Sequence, residues 1–286
     1  MIKKQIILII IILISLTHCS SAPKNPGDIF TMRKNAEAAL ELGNKEADRG
    51  SFNEAALQLE EALRIAISID DPSLRLRANL SLGNLMFILG NREEAQENWN
   101  KALAESKDID NTELAAICRI HIARGNILMS DDKNRIRTLR DEVSKDMAFI
   151  RSERQYTAFS WTVIALAEKE LGNFSDAEAA VMRSLAIHEK DKYFELAAYN
   201  WFMIASFRSL SGDSKGAISA LHNAIIFDRR VENAWGLASN WRALGDVHKK
   251  AGNLKESNAA YTRSAEIFRA IGNAETADEV LSRISE

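Results

Sequence analysis

Large apolar residues recur at helical spacing along most of this chain, and the pattern stops on a glycine five times, at Gly50, Gly90, Gly172, Gly212 and Gly252. The intervals are 40, 82, 40 and 40 residues, so the long one has room for one further unit. A fixed period in this range marks stacked supersecondary units. With the glycine set as position 15, position 8 reads Gly43, Gly83, Ala165, Ala205 and Gly245. Position 20 reads Ala55, Ala95, Ala177, Ala217 and Ser257, and position 27 reads Ala62, Ala102, Ser184, Ala224 and Ser264. Small side chains there let two antiparallel helices approach closely, where larger ones would overpack the crossing. Large residues stand around them: Leu42, Leu82 and Leu244 at position 7, Trp161, Trp201 and Trp241 at position 4, Trp99 and Tyr261 at position 24.

The glycine ends the first helix in a left-handed conformation that costs nothing without a Cβ. A polar residue follows each time (Ser51, Asn91, Asn173, Asp213, Asn253), as expected at a helix start. Each unit therefore reads helix, tight turn, helix. The interval between Gly90 and Gly172 departs. Its best register puts Gly125 at position 8, Asp132 at the turn, Arg137 at position 20 and Asp141 at position 24. Ile136, Leu139, Val143 and Met147 keep an amphipathic spacing, so this stretch reads as a degenerate third unit with a shifted or longer second helix. The alternative is a break between two three-unit halves.

The small positions 8, 20 and 27 among large residues at 4, 7 and 24 resemble the tetratricopeptide repeat, in the extended form near 40 residues seen in adaptors of the kinesin-light-chain type. The resemblance implies an all-α, right-handed superhelical solenoid of about six helix-turn-helix units. These fall near 36–70, 73–108, 112–151, 155–190, 194–229 and 233–271, within a solenoid spanning 34–286. An amphipathic helix over 274–285 would cap the open end of the stack. Such arrays bind proteins or peptides, with the first helix of each unit lining the concave face. On that face, position 9 gives Asn44, Asn84 and Asn126. An asparagine amide both donates and accepts, so this ladder could hold the backbone of an extended peptide; the alternative is a merely solvated face. Phe159, Leu166, Tyr199 and Phe202 make the later stretch apolar, and Arg242 and Lys249 give the last unit a basic edge. The two-lysine, two-asparagine, one-arginine clamp of some peptide-binding relatives has no counterpart at matching positions.

The N-terminus carries Lys3 and Lys4, an apolar run from Ile6 to Leu16, and then Cys19. A basic start followed by about a dozen apolar residues reads as a secretory signal, too short to span a bilayer. Its end resembles the lipobox of bacterial lipoproteins, with His18 departing from the usual small residue; the alternative is an ordinary signal peptide that happens to contain Cys19. The resemblance implies a signal peptide over 1–18, lipidation of Cys19 and a tether over 19–33 that holds Pro23, Pro26 and Gly27. Multiple acyl chains would anchor the protein stably. Ser20 after the cysteine favours, by analogy, the outer membrane of a bacterial envelope, facing the periplasm or displayed at the surface.

Chemistry is scarce. The five histidines are far apart, no phosphate loop, dinucleotide fingerprint or nucleophile elbow occurs, and Cys118 sits on an apolar face with Leu114, Ile117 and Ile120. The acidic pairs Asp70-Asp71 and Asp131-Asp132 fall between helices, where carboxylates cap or are solvated. The net charge is −3 without a basic tract, which argues against nucleic-acid binding. The expectation is a non-enzymatic protein with no cofactor and no metal. The leading reading is a lipid-anchored envelope scaffold; the alternatives are a partner of a periplasmic transport or peptidoglycan-synthesis system and a surface lipoprotein contacting host molecules.

Overall fold

The computed structural model describes residues 26–152 and 154–284; the signal segment, Cys19 and the first part of the tether lie outside them. Among the described residues thirteen α-helices follow one another: α1 (Pro26–Asp48), α2 (Phe52–Ser68), α3 (Pro72–Ile88), α4 (Arg92–Asp108), α5 (Thr112–Met129), α6 (Lys133–Asp146), α7 (Arg154–Leu171), α8 (Phe174–Lys190), α9 (Phe194–Leu210), α10 (Ser214–Arg230), α11 (Ala234–Lys250), α12 (Leu254–Ala270) and α13 (Ala274–Leu281). Among the described residues there is no strand. Helices pack as hairpins, α1 on α2 through α11 on α12, and each hairpin stacks on the next to form a solenoid closed at one end by α13. Residues 26–33, expected as tether, are the first two turns of α1. Pro26 suits the first turn of a helix, where no backbone N–H is needed, and no breaker follows Gly27.

The small positions are where the hairpins touch. All of the residues at positions 8, 20 and 27 in the five regular units are buried. Where position 8 is glycine, the residue at position 24 leaves no room for a Cβ. A Cβ on Gly83 would collide with the Trp99 indole, one on Gly245 would lie 2.5 Å from the Tyr261 ring, and one on Gly43 would lie 2.7 Å from Leu59. Where position 8 is alanine, at Ala165 and Ala205, position 24 holds the aliphatic Val181 and Leu221. Not every large position is covered, however. Leu42 is exposed, because no earlier described hairpin lies on that side of α1. The position-4 indoles are half-buried, and Arg183 and Arg263 cover Trp161 and Trp241 at 4.4 and 4.7 Å from the ring centres.

Both kinds of turn use the same backbone device. After α1, the Ser51 N–H donates to the Glu46 carbonyl at 2.9 Å and the Gly50 N–H to Ala47 at 3.1 Å, with Gly50 at φ +81°. This is the 6→1 and 5→2 pattern that satisfies the last carbonyls of a helix. The turns between units repeat it without glycine: Asp70, Asp110, Lys192 and Glu232 hold φ of 50°, 48°, 64° and 57°. The caps differ from expectation. Ser51, Asn91, Asn173 and Asn253 make no side-chain capping bond, and only Asp213 of that set does. Effective caps sit mainly at the other helix starts, where Asp71, Asn111 and Asn233 accept from Leu74, Leu114 and Gly236.

The third unit is irregular but does not interrupt the stack. Its second helix α6 is shorter than the others, not longer, and ends in a 3-10 turn over Met147–Phe149. Asp132 caps α6 instead of ending α5. The register therefore moves by one residue and places buried Ile136 and Val143 where alanines stand elsewhere. Larger residues hold α6 off α5, and polar stitching takes over. Arg119 pairs with Asp146 at 2.6 Å and Arg140 with Glu168 at 2.8 Å. Glu113 accepts from the backbone N–H groups of Arg151 and Ser152 at 2.9 Å. Gly125 does not face its own hairpin; a Cβ there would lie 2.7 Å from Trp99 of the preceding unit. Helix α5 feeds both large apolar cores, Ile117 and Cys118 the first, Ile120, Ala123 and Ile127 the second, and Ile150 packs against both. Cys118 is fully buried and free, its thiol pushed up to about 12 mainly by burial, which leaves it a packing group.

Candidate functional site: an interior closed by the first and sixth units

The first helices face a common interior, and the solenoid curls far enough for its ends to meet. The turn after α1 abuts the start of α11: a Cβ on Gly50 would lie 2.8 Å from Trp235, and the Phe52 ring meets Trp235 edge-on at 5.5 Å. Trp235 is braced from behind by Phe268 at 5.2 Å. Beside this contact lies a cavity of about 340 Å³ walled by Tyr199, Phe202 and Trp235 and floored by Asp48, Glu195 and Asp228. A second cavity, about 540 Å³, continues along α1 past Glu37, Glu41, Asn44, Lys45 and Arg77. Among the described residues no ion pair joins Asp48 or Glu195 to a base.

Charge in this interior is unevenly compensated. Asp228 is buried and accepts from Asn233 at 2.8 Å and Asn240 at 2.6 Å; burial pushes it up to about 7 against those two hydrogen bonds. Asp48 is exposed to the cavity but is walled by the closure. Burial, and then Glu195 opposite, push it up to about 6. Farther along, Arg124 on α5 lies in a cage of rings, 4.9 Å from the centre of Phe87, 5.6 Å from Trp99 and 5.4 Å from Phe159. Burial lowers its pKa. Behind Phe159, buried His121 stacks on the ring at 4.2 Å, and burial, with Arg124 adding to it, holds the imidazole well below its ordinary pKa.

The residues named from sequence scatter over this interior. Asn44 lines the second cavity and is exposed. The Asn84 side-chain oxygen accepts from the Trp99 indole at 3.2 Å and from Arg124 at 3.4 Å, leaving its NH2 group for a ligand. Asn126 is half-buried on the same helix as Arg124. Phe159 is a wall of the arginine cage, Tyr199 and Phe202 stack on each other at 6.5 Å in the cavity, and Arg242 stands at the cavity rim. Lys249 points elsewhere, donating to the Arg283 carbonyl at the end of the array at 2.8 Å. Sequence reasoning passed over Arg124, Asp48 and Trp235. Trp235 stands outside the motif's large positions, and that mismatch was its one legible signal. Asp48 acquires meaning only from the curvature that brings distant units together, and Arg124 only from the stacking of three successive units around it.

The hairpin solenoid defined by these helices is that of tetratricopeptide-like arrays. The chain is similar to a Rap protein in complex with Competence and Sporulation Factor (TM-score 0.61, 15% identity, 87% of this chain and 74% of that one). It is also similar to a kinesin light chain protein of Podosopora anserina with nearly identical TPR-like repeats (TM-score 0.52, 16%, 70% and 97%). A third similar structure is PilW, a widely conserved type IV pilus biogenesis factor (TM-score 0.50, 19%, 86% and 98%). At these identities the likeness establishes the fold. No family model and no curated protein matches the chain.

Proposed function

We propose that this chain is a lipid-anchored scaffold of a bacterial envelope that receives an extended segment of another protein in its closed interior. One observation carries the reading: aromatic side chains of α7, α9 and α11 are gathered on the inner face of the array beside open cavities. There Tyr199 is half exposed although its neighbours on α9 are buried. Exposed aromatic clusters rimmed by polar groups suit protein recognition. The Rap neighbour is itself described with a bound factor, which favours the same use of this fold. Anchoring rests on the basic and apolar run ahead of Cys19. With such an anchor and no catalytic constellation in the sequence, the protein would act by holding partners near a membrane.

Two experiments separate the parts of this proposal. A photo-crosslinking residue at Tyr199, placed in the full-length chain in envelope preparations, should join a discrete partner, whereas one at exposed Leu57 should not. Equal labelling from both sites would overturn the interior as the binding site. Cys19→Ser should move the protein from the membrane to the soluble fraction or leave an uncleaved precursor; mass spectrometry showing another mature N-terminus would remove the anchor.

A further inference from the structure

Among the described residues Arg124 is the one base whose guanidinium is enclosed by three aromatic rings. Phe87, Arg124 and Phe159 come from three successive first helices, α3, α5 and α7, with Trp99 of α4 behind them. Among the described residues Arg124 has no carboxylate partner, and its single hydrogen bond is the 3.4 Å contact with the Asn84 side-chain oxygen. Its Nε is buried and unpaired. Arg75 and Arg208, also half-buried, do pair with acids, Glu105 at 3.1 Å and Glu178 at 2.6 Å, whereas among the described residues Arg77 and Arg242 line the cavities without an ion pair but also without a ring cage.

A guanidinium presents five donors in a planar fork that matches a carboxylate, and ring stacking on its faces leaves the edge for that purpose. Holding it partly desolvated with most donors unused is costly unless an acceptor arrives. The rings also exclude water, which strengthens a charged hydrogen bond formed there.

Resting on the reading of the interior as a protein-binding groove, we infer that Arg124 is its anion-recognising anchor, taking a carboxylate of the bound segment, with Asn84 beside it. The carboxylate comes either from an Asp or Glu side chain or from the chain end. Asp48 and Glu195 on the floor of the neighbouring cavity disfavour an anionic group there, an effect that Arg242 at its rim offsets only in part.

The test uses the mature chain with Cys19→Ser and a synthetic library of twelve-residue random peptides, half with a free C-terminus and half amidated. Wild type should enrich peptides with Asp or Glu, or those with a free C-terminus, and the two halves tell the sources apart. For one enriched peptide, replacing its acid by the amide should weaken binding by roughly ten- to a hundredfold in wild type. In Arg124→Met the same replacement should change nothing. Should the Met variant fail to fold, Arg124→Lys keeps the charge and loses the fork, and should show a smaller version of the same loss. Enrichment of peptides without carboxylates, or an unchanged preference in the Arg124 variants, overturns the anchor and leaves the groove standing. Binding of no peptide by wild type overturns both.

Discussion

Close approach of position 24 inside single hairpins, by a ring at Gly83 and Gly245 and by Leu59 at Gly43, explains why so few side-chain types recur at position 8. Gly83 lies against the Trp99 indole with no room for a methyl group, while Ala205 tolerates its Cβ because Leu221 stands at position 24. Gly83→Ala should therefore cost about 1–3 kcal/mol through overpacking, despite the better helix propensity of alanine. Adding Trp99→Leu, which copies the Ala205 and Leu221 pair, should show a favourable coupling in a denaturation cycle. Strict additivity of the two changes would mean that the match is incidental. His121 poses the other question at this scale. It is buried, its Nδ1 lacks a partner, and no acid faces it, so the protonated form is disfavoured in the fold. A base with a depressed folded pKa contributes stability that is present above its unfolded value near 6.5 and lost as pH falls through the folded value. Asp228 acts in the opposite sense, losing its contribution as pH rises through about 7. His121→Leu should thus flatten the acid side of the stability curve. The slope difference below pH 6 should approach about 1.4 kcal/mol per pH unit, read from urea midpoints. Parallel curves for the two proteins would show that His121 does not titrate against the fold.

At the level of helices, most of the architecture was legible because it is local. The five glycines, the small positions at 20 and 27 and the large ring at 24 are all consequences of one hairpin's geometry, so each unit states them again. The turns between units were less visible, since Lys192 and Glu232 occupy a left-handed conformation that neither residue advertises. Such a conformation costs a residue with a Cβ roughly 1 kcal/mol. Lys192→Gly should therefore stabilise by several tenths of a kcal/mol, the gain being reduced by the greater freedom of glycine in the unfolded chain. A lower melting temperature would show that Lys192 makes contacts that outweigh its backbone strain. The third unit escaped the register because the shift is a single residue. Once Asp132 caps α6 rather than closing α5, Ile136 and Val143 take over positions that a fixed alignment gave to Arg137 and its neighbours. The groove was only partly readable for a related reason: Phe159, Tyr199 and Phe202 stand on inner faces set by helical period, whereas the cage around Arg124 needs four helices at once.

Across the whole molecule, the curvature of the stack turns a groove into an enclosed space, and a few residues hold it shut. Trp235 joins Gly50 and Phe52 of the first hairpin to Phe268 of the last, while Asp48 and Glu195 face each other across the same seam. The groups around Asp48 are Glu37, Glu41, Lys45, Arg77, Glu195, Asp228 and Arg242, and none of the bases among them forms an ion pair with it in the described residues. The closed form holds the proton of Asp48 more firmly than an open form would. Closure is accordingly strongest at acid pH and weakens as pH rises through about 6, the value to which burial and Glu195 lift the carboxyl. Spin labels on cysteines placed at exposed Arg49 and Glu232 would report the seam, since buried Cys118, pushed up to about 12, stays unlabelled. In the Cys19→Ser background a single short distance is expected at pH 5, with a longer component growing towards pH 8. Glu195→Gln should lower the Asp48 pKa and suppress that growth, and Trp235→Ala should give the long component at every pH. Were all three proteins to show one short distance throughout, the first and sixth units would be held together by the stiffness of the stack itself, and the aromatic seam would have no latching role.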